Sequence, residues 1–263
     1  MNVGVIITAA GRSERFGPTS KLDQDIGGRA MVMRTVELFT KREEVSTIVV
    51  AASPDNFDEF KAKYGPSLGF HGATLVQGGR DARWETVKLA LEAIPQECTH
   101  VAVHDAARPA VGEKLLNRLF EAARKLPAVV PAVRITGTVK RIADDSIDVA
   151  DNEEDALANA ILGDAGRTSI EASPILETID RSGLAEIQTP QIFEIGLLRR
   201  AYAQDDLSGA TDDASLVERL GETVHAVAGD PTNIKVTTPG DIRLVRAILG
   251  VKPPSERPAH KRF

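Results

Sequence analysis

The stretch VGVIITAAG at residues 3–11 is a continuous run of β-branched and other apolar residues that ends in small ones. A charged loop, GRSERFGPTSK at residues 11–21, follows it, and the next apolar pattern begins only near Ala30. A continuous apolar run is typical of a parallel strand that is covered on both faces. The stretch therefore predicts the first strand of an α/β sheet, with a loop at the strand end where open parallel sheets bind ligands.

The same kind of run recurs along the first half of the chain, separated by stretches with apolar residues three and four positions apart. The further runs lie at residues 47–53, 73–77, 100–104 and 128–133. The helical patterns between them are Met31–Phe39, Thr86–Ile94 and Lys114–Leu126. This alternation predicts a mostly parallel sheet with helices on both faces, joined by right-handed crossovers.

The pattern changes after Val133. Residues 134–187 are too polar and irregular to continue this core, and they predict a projecting arm of short strands with a flexible acidic loop near 144–166. Later elements are expected as helices from Ile195 to Gln204, Asp213 to Leu220 and Pro239 to Leu249, and a strand at 223–228. We expect one domain over residues 1–250 that carries the arm, and a flexible tail at 251–263.

The composition limits the classes of partner. The 263 residues carry a net charge of −6 with a pI near 5.5, which argues against binding nucleic acid by overall charge. The single cysteine, Cys98, excludes a disulfide framework and a four-cysteine zinc site. No window reaches about 18 apolar residues, and Met1 leads into the first strand without the features of a signal peptide. We expect a cytoplasmic protein that contacts neither membrane nor nucleic acid.

The loop at residues 8–21 carries Arg12, Arg15 and Lys21 after a turn at Gly11. A triphosphate requires exposed backbone N–H groups and positive charge together, and a small-residue turn with cations offers both. The loop lacks the Gly-Lys-Ser/Thr ending of a P-loop and the G-x-G-x-x-G of a dinucleotide site. The alternative is that its cations form a solvated surface.

A second loop, QGGRDARWETV at residues 77–87, follows the third run. Gly78 and Gly79 would let the backbone approach a flat ligand closely, with Arg83 and Thr86 further along. The alternative is an ordinary strand-to-helix turn with Thr86 in the first turns of the helix.

Two further stretches place charges among apolar residues. VHDAARP at 103–109 puts Asp105 and Arg108 at a strand end, either to fix a polar substrate or as a surface ion pair of little energetic value. In GDPTNIKVTTPGD at 229–241, Lys235 interrupts an apolar strand pattern, either on the solvent face of an edge strand or as a cation in a phosphate pocket. The histidines show no metal-binding spacing, which disfavours a zinc hydrolase, and no His-Asp-Ser set suggests a serine hydrolase.

Eight short motifs follow one another along the chain. They are AAG...R...K at 9–21, GG...R..TV at 78–87, VHDAARP at 103–109, TVKR at 138–141, TIDR at 178–181, QTPQIF at 188–193, TDDASLVE at 211–218 and NIKVTTPGD at 233–241. In this order they resemble the 2-C-methyl-D-erythritol 4-phosphate cytidylyltransferases of the non-mevalonate isoprenoid pathway. The matches span nearly the whole chain, and the combination of VHDAARP, TPQIF and NIKVTTP is specific.

The resemblance implies a Rossmann-like nucleotidyltransferase fold with a projecting β-arm that pairs two subunits. It also implies the reaction of CTP with methylerythritol phosphate to give the CDP-alcohol and pyrophosphate, with Mg²⁺ bound mainly through the CTP phosphates. Two alternatives remain open. One is a cytidylyltransferase for another polyol phosphate such as ribitol 5-phosphate, and the other is a catalytically silent relative that binds nucleotide.

The resemblance further implies roles for individual residues. Arg15 and Lys21 would hold the CTP phosphates and stabilise the charge that develops during attack, and Lys235 would grip phosphate from the other side. The nucleotide pocket would be lined by Ala9, Ala10, Gly11, Gly79 and Thr86, with Asp105, Ala106 and Arg108 beside it. The methylerythritol phosphate would be contacted by Thr138, Arg181 and Thr189. No residue is assigned to the metal.

The chain departs from the family pattern in three places. Ser13 stands where the family loop usually has a second glycine. Lys21 lies in TSKLD, where the family usually has Pro-Lys-Gln around this lysine. The arm between Arg141 and Thr178 is longer than expected, and the addition is acidic.

Overall fold

The structure is a computed structural model that describes residues 1–11, 16, 20–148 and 171–253. The chain divides into two units. The first consists of Met1–Val133 and Ile187–Phe263, and the second of Arg134–Glu186. No helix within the described ranges is long and apolar enough to cross a lipid bilayer.

Strands and helices alternate over most of the first unit. The strands of the described chain are β1 (Val3–Ala9), β2 (Val45–Ala52), β3 (Ala73–Gln77), β4 (His100–Asp105), β5 (Ala128–Arg134), β6 (Val139–Ile142), β7 (Ile147–Asp148), β8 (Glu171–Ala172), β9 (Ile175–Ile179), β10 (Ala185–Ile187), β11 (Gln191–Glu194) and β12 (His225–Ala228). The α-helices of the described residues are α1 (Met31–Glu37), α2 (Phe57–Phe70), α3 (Arg83–Glu92), α4 (Glu113–Ala123), α5 (Ile195–Tyr202), α6 (Asp213–Arg219) and α7 (Pro239–Ile248). The described residues also include single-turn 3₁₀ helices at Lys21–Asp23 and Pro54–Asn56.

Seven strands of the first unit form a mixed sheet in the order β3-β2-β1-β4-β11-β5-β12. The central strand β1 is parallel to both of its neighbours, β3 is parallel to β2, and β12 is parallel to β5. Strand β11 runs antiparallel to both β4 and β5. The predicted mostly parallel sheet is therefore confirmed, and β11 is the strand that departs from it.

Helices cover both faces of this sheet. On one face, Val3, Val5 and Ile7 of β1 belong to a core that also contains side chains of α1, α2, α4 and α7. On the other face, Ile6 packs with side chains of α3, α5 and α6. Successive strand residues point to opposite faces, so a strand that is buried on both must be apolar throughout. This accounts for the uninterrupted apolar run at the start of the chain and confirms the predicted layers.

Helix α2 is an element that the sequence reasoning did not predict. Its sequence, FDEFKAKYGPSLGF, contains Pro66 and two glycines, which disfavour a helix interior. Its buried face is nonetheless regular, because Phe60, Tyr64 and Leu68 recur every fourth residue and are at most 7% exposed. Packing of this face against the core outweighs the unfavourable residues.

The strand expected around Lys235 does not form, and that prediction is wrong. Residues 231–238 are irregular. Val236 and Asn233 are completely buried, and the Val236 N–H donates to the carbonyl of Ala107 at 2.8 Å. The buried residues here fasten the segment beside the end of β4 instead of extending the sheet.

The second unit contains short antiparallel pairs. Strand β6 pairs with β9, and β7 pairs with β8. Four large apolar side chains among the described residues of this unit are more than half exposed: Ile142 at 59%, Ile147 at 62%, Ile175 at 64% and Leu176 at 60%. Two predictions fall largely outside the described residues. These are the acidic loop near 144–166, beyond residue 148, and the tail at 251–263, beyond residue 253.

Candidate active site

A cavity of about 560 Å³ opens in the first unit at the carboxyl ends of β1, β3 and β4. Its walls come from the loops after these strands and from the segment around Lys235. Open α/β sheets bind their ligands at this edge. The described residues that line the cavity are Thr8, Ala9, Ala10, Gly11, Lys21, Leu22, Gly79, Arg80, Asp81, Ala82, Arg83, Thr86, Asp105, Ala107, Lys235 and Thr237.

The loop after β1 forms the first wall. Residues 9–11 line the cavity, and the 3₁₀ turn Lys21–Asp23 brings Lys21 to it. Leu22 anchors the turn in the core, where it is only 7% exposed. Arg15 lies outside the described residues, so its assignment to the phosphates stays a prediction.

The turn that carries Lys21 is also fastened to helix α2. The Tyr64 hydroxyl donates to Asp23 Oδ1 at 2.5 Å, and Lys63 Nζ lies 2.6 Å from Asp23 Oδ2. Burial raises the pKa of Tyr64, and the hydrogen bond and charge of Asp23 raise it further, so the hydroxyl remains a donor. Because Asp23 is only two residues from Lys21, this contact restricts the backbone from which the lysine extends.

The glycine loop after β3 forms the second wall. A Cβ atom on Gly79 would lie 2.1 Å from Glu85 Cβ and 3.0 Å from the backbone nitrogen of Thr86, so only glycine fits here. The Gly79 N–H donates to Thr86 Oγ1 at 3.1 Å. Thr86 is 3% exposed and holds the loop against the start of α3. The glycine thus allows the backbone itself to form part of the cavity surface.

Asp105, the last residue of β4, lies at the centre of a charged cluster. Its Oδ2 is 2.8 Å from Lys235 Nζ and 3.7 Å from Arg108 Nε, and its Oδ1 is 3.5 Å from Arg83 Nε. Burial raises the pKa of this carboxyl, but the charges of Arg83, Lys235 and Arg108 together outweigh burial and hold the pKa well below its usual range. Asp105 therefore stays ionised. Lys235, at 39% side-chain exposure, is the most accessible of the three cations.

Arg108 joins two motifs that are distant in sequence. It is 5% exposed, and its Nη1 donates to the carbonyl of Asn233 at 2.7 Å. The alternative of a surface pair with Asp105 is therefore wrong, because both partners are buried. Ala106 is likewise buried, and its carbonyl accepts from Thr35 Oγ1 at 2.9 Å. Neither Ala106 nor Arg108 is among the described residues that line the cavity.

His104 and Thr189 form a buried layer next to Asp105. His104 Nε2 lies 3.1 Å from the carbonyl of Arg108, which can only accept, so Nε2 carries the proton and donates. Nδ1 then accepts from the Thr189 hydroxyl at 3.1 Å, and the same hydroxyl oxygen accepts the Asp105 N–H at 3.1 Å. Burial lowers the pKa of His104 to about 4, in agreement with a neutral ring. This layer fixes the backbone at the end of β4.

A protein-family model described as 2-C-methyl-D-erythritol 4-phosphate cytidylyltransferase matches residues 3–162 and 146–251, which together span nearly the whole chain. The chain belongs to this family. A curated relative of that name from Symbiobacterium thermophilum is 36% identical over 94% of this chain and 92% of its own length. Another, from Streptomyces coelicolor, is 37% identical over 93% of this chain and 83% of its own.

Solved structures of cytidylyltransferases agree with the fold. The 4-diphosphocytidyl-2C-methyl-D-erythritol synthase of Anaerococcus prevotii has a TM-score of 0.70 at 28% identity, covering 95% of this chain and 98% of its own. The 2-C-methyl-D-erythritol 4-phosphate cytidylyltransferase of Thermus thermophilus has a TM-score of 0.67 at 30% identity, covering 95% of this chain and 100% of its own. The predicted nucleotidyltransferase fold is confirmed, and the chain is a nucleotidyltransferase.

The structure of this family member brings most of the assigned residues of the first unit together. Those that line the one cavity are Ala9, Ala10, Gly11, Lys21, Gly79, Thr86, Asp105 and Lys235. Three others are buried beside Asp105: Ala106 follows it in the sequence, and Arg108 and Thr189 contact it directly. The chemical role of each stays a prediction.

Thr138 and Arg181 belong to the second unit of this cytidylyltransferase family member. Both border a shallow hollow of about 420 Å³, together with Thr178 and Asp180. The Arg181 guanidinium donates to the carbonyl of Thr136. Their contact with substrate, like that of Thr189 in the first unit, stays a prediction.

Sequence reasoning gave no role to two charged residues at this site. Arg83 lines the cavity and contacts Asp105, and its Nη2 also lies 2.8 Å from Oδ2 of Asp213. Asp213 is completely buried. The sequence held one signal for each, since Arg83 follows the glycine loop and TDDASLVE opens a helix with two acids where one cap would suffice.

Proposed function

We propose that this chain transfers the cytidylyl group of CTP to 2-C-methyl-D-erythritol 4-phosphate in the cytoplasm, forming CDP-methylerythritol and pyrophosphate. The observation that carries the proposal is the convergence of Lys21 and Lys235 on one cavity that the glycine loop at Gly79 also lines. The family membership supports the choice of both substrates.

The reaction is a direct displacement at phosphorus. An oxygen of the methylerythritol phosphate forms a bond to the α-phosphorus of CTP, and the bond from that phosphorus to the bridging oxygen breaks. The electron pair leaves with pyrophosphate. Because the attacking oxygen is already anionic, the reaction depends on positioning and charge neutralisation more than on a general base.

The cations at the cavity suit this chemistry. Lys21 and Lys235 present compact ammonium groups to the space where the triphosphate would lie, and we assign Arg15 to the same task. Asp105 is ionised and shared by three cations, so its role is to hold Lys235 rather than to accept a proton. The interaction of each lysine with the phosphates would strengthen as charge develops in the transition state.

The nucleotide would lie against the two loops that leave backbone exposed at the cavity. We assign residues 9–11 and Gly79 to direct contact, and Thr86 to the shape of the glycine loop, since its hydroxyl already accepts the Gly79 N–H. Asp105, Ala106 and Arg108 would lie beside the nucleotide. A pocket of this kind would distinguish bases by the polar groups left unpaired with the wrong one.

A divalent cation fits this site when it is coordinated by the phosphates of CTP. Mg²⁺ usually keeps several waters and binds through substrate phosphates with one or two carboxylates. Within the described ranges no cluster of three or more His, Cys, Asp or Glu side chains could hold a metal ion. Asp105, which lines the cavity, is already shared by cations. Bound through the CTP phosphates, Mg²⁺ would neutralise part of their charge beside Lys21 and Lys235.

We further propose a homodimer formed through the arm at residues 134–187. An isolated pair of strands is only marginally stable in water. In addition, Ile142, Ile175 and Leu176 of this unit are more than half exposed. A second copy would give these strands and side chains a partner. In that dimer, Thr138 and Arg181 would contact the methylerythritol phosphate, as would Thr189.

The function is tested by pyrophosphate release from CTP and Mg²⁺ with methylerythritol phosphate, ribitol 5-phosphate or no acceptor. We expect efficient release with methylerythritol phosphate alone, and strong preference for CTP when UTP competes. Faster release with ribitol 5-phosphate would show that this compound, and not methylerythritol phosphate, is the acceptor. Equal use of UTP would contradict the cytidylyl assignment. No release with any acceptor would indicate a nucleotide-binding relative without catalysis.

A further inference from the structure

Asp213 is a buried carboxylate that the proposed displacement does not use. It is completely buried at the first position of α6. The preceding residue, Asp212, already caps this helix, because its Oδ1 accepts the Ser215 N–H at 3.0 Å. Gln191 Nε2 donates to the other Asp212 oxygen at 2.8 Å. The carboxylate of Asp213 is therefore available for a different task.

The two oxygens of Asp213 contact two different side chains. On one side, the Tyr202 hydroxyl donates to Oδ1 at 2.6 Å. On the other, Arg83 Nη2 lies 2.8 Å from Oδ2, and Arg83 Nε reaches Asp105 at 3.5 Å. Asp105 in turn holds Lys235 at 2.8 Å. A continuous series of polar contacts thus leads from the completely buried Asp213 to the ammonium of Lys235 at the cavity.

Stability alone is a weak reason for this arrangement. Taking a carboxylate and a guanidinium out of water costs so much that well-packed apolar residues often stabilise a core as well or better. The charges of Asp213 and Asp105 keep the pKa of Arg83 above its usual value even though burial lowers it. Burial and the charge of Asp213 raise the pKa of Tyr202, so Tyr202 stays a donor. Arg83 and Asp105 are therefore both ionised at the cavity.

Arg83 would have other positions available without Asp213. Its side chain is 24% exposed and lines the cavity, so it is not confined by packing alone. A guanidinium released from Asp213 would pair with both oxygens of Asp105, since a planar fork matches a carboxylate. It would then compete with Lys235 for Oδ2, the oxygen that this lysine now contacts.

We propose that Asp213 is a positioning residue for nucleotidyl transfer, which it supports by holding Arg83 so that Asp105 remains free to orient Lys235. This rests on the proposed function, in which Lys235 meets the phosphates of CTP. Asp213 itself touches no reacting atom in this scheme. Its effect reaches the cavity only through Arg83 and Asp105.

The test compares Asp213→Asn with Tyr202→Phe in the full chain. Each removes one interaction from the same carboxylate, and we expect both to lower the melting temperature. Asp213→Asn should lower kcat about 10–100-fold and raise the Kd for CTP with Mg²⁺ about 3–10-fold, as misplacement of a charged group does. Tyr202→Phe, which leaves the ion pair with Arg83, should change each less than about 3-fold. Equal losses of kcat in the two variants, or none in Asp213→Asn, would overturn the proposal.

A double-variant cycle separates positioning from general damage. If Asp213 acts through Arg83, Asp213→Asn should add little to the kcat loss of Arg83→Met. Additive losses would contradict the proposal. Asp213→Glu keeps the charge but moves it, so reduced kcat is expected, and this variant decides the matter if Asp213→Asn does not fold. Wild-type kcat in folded Asp213→Glu would then reject a fixed position.

The outcome does not depend on the identity of the alcohol. If the wild type uses another polyol phosphate, the same comparison is made with that acceptor. If it uses none, the proposed function fails while the Kd for CTP still tests Asp213. In that case, equal CTP affinity in wild type and Asp213→Asn would reject the positioning role.

Discussion

Lys235 and Asp105 form an ion pair of 2.8 Å at the edge of the cavity, although they come from distant parts of the sequence. Asp105 is 9% exposed and anchored at the end of β4, whereas Lys235 extends from an irregular segment and is 39% exposed. The carboxylate therefore fixes the lysine, and the lysine remains accessible to an anionic ligand.

Lys21→Ala should lower kcat for pyrophosphate release about 10²–10³-fold while the fold is retained, because one electrostatic contact made in the transition state is worth about 3–4 kcal/mol. Lys21→Arg should not restore full activity, since a planar fork does not replace a compact ammonium. Lys61→Ala, at an exposed lysine of α2, is the matched control and should be neutral. Near-normal turnover of Lys21→Ala would remove this lysine from the mechanism.

Gly79→Ala should raise the KM for CTP about 10-fold and destabilise the protein by about 1–3 kcal/mol, as overpacking does. The added Cβ would lie 2.1 Å from Glu85 Cβ and would force the loop away from α3. Gly69→Ala is the control, because its Cβ meets no atom within 4 Å and the change favours a helix. Steady-state kinetics and urea unfolding measure the two effects. Matching behaviour of the two variants would contradict the close packing of the glycine loop.

His104 should make the free energy of unfolding depend on pH. An unfolded histidine binds its proton near pH 6.5, whereas burial lowers the pKa of His104 to about 4. Between these values the unfolded state binds more protons. The contribution of His104 is therefore complete above about pH 6.5 and is lost as the pH falls, by up to about 1.4 kcal/mol per pH unit.

His104→Gln removes this proton from both states. Urea unfolding of wild type and His104→Gln at about pH 7, 6 and 5 should give a flatter pH dependence for the variant. The comparison concerns slopes, so a uniform loss of stability in the variant does not affect it. Identical slopes would show that His104 is protonated at the same pH in both states.

Arg181 should serve the active site of the neighbouring subunit in the proposed dimer. When inactive Lys21→Ala and Arg181→Ala chains are unfolded and refolded together, each mixed dimer would hold one site with both residues intact. Random pairing should then restore about a quarter of wild-type activity. Each variant refolded alone is the control. No recovery, with mixed dimers shown to have formed, would reject the shared site.

Local sequence patterns predicted the elements that surround the cavity. The run at residues 3–8 and the run at 100–104 form parallel strands of the covered sheet, as their continuous apolar pattern predicted. Helix α2 was not predicted because Pro66 disfavours a helix, and the regular spacing of its apolar face is recognised only once that face is seen to be buried. The apolar residues beside Lys235 predicted a strand, but Val236 is buried next to the end of β4 and the segment does not join the sheet.

The residues of the candidate site were predictable where a motif lies at a strand end. They were not predictable where a contact joins residues that are far apart in the sequence. Gly79 follows β3 and Asp105 ends β4, and both line the cavity at the strand ends where open parallel sheets bind ligands. The contact between Arg83 and Asp213 joins separate helices, and no local pattern reports it. Burial of Arg108 was equally hidden, because its partner Asn233 lies in another loop.

Direct displacement at the α-phosphorus is tested by following the oxygen atoms of the methylerythritol phosphate. Its non-bridging phosphate oxygens are labelled with ¹⁸O, the substrate is incubated with CTP, Mg²⁺ and the protein, and the products are weighed by mass spectrometry. Direct attack on the α-phosphorus predicts CDP-methylerythritol that retains every label, together with unlabelled pyrophosphate. Release of CMP in place of pyrophosphate, or label in the pyrophosphate, would rule out direct attack on the α-phosphorus.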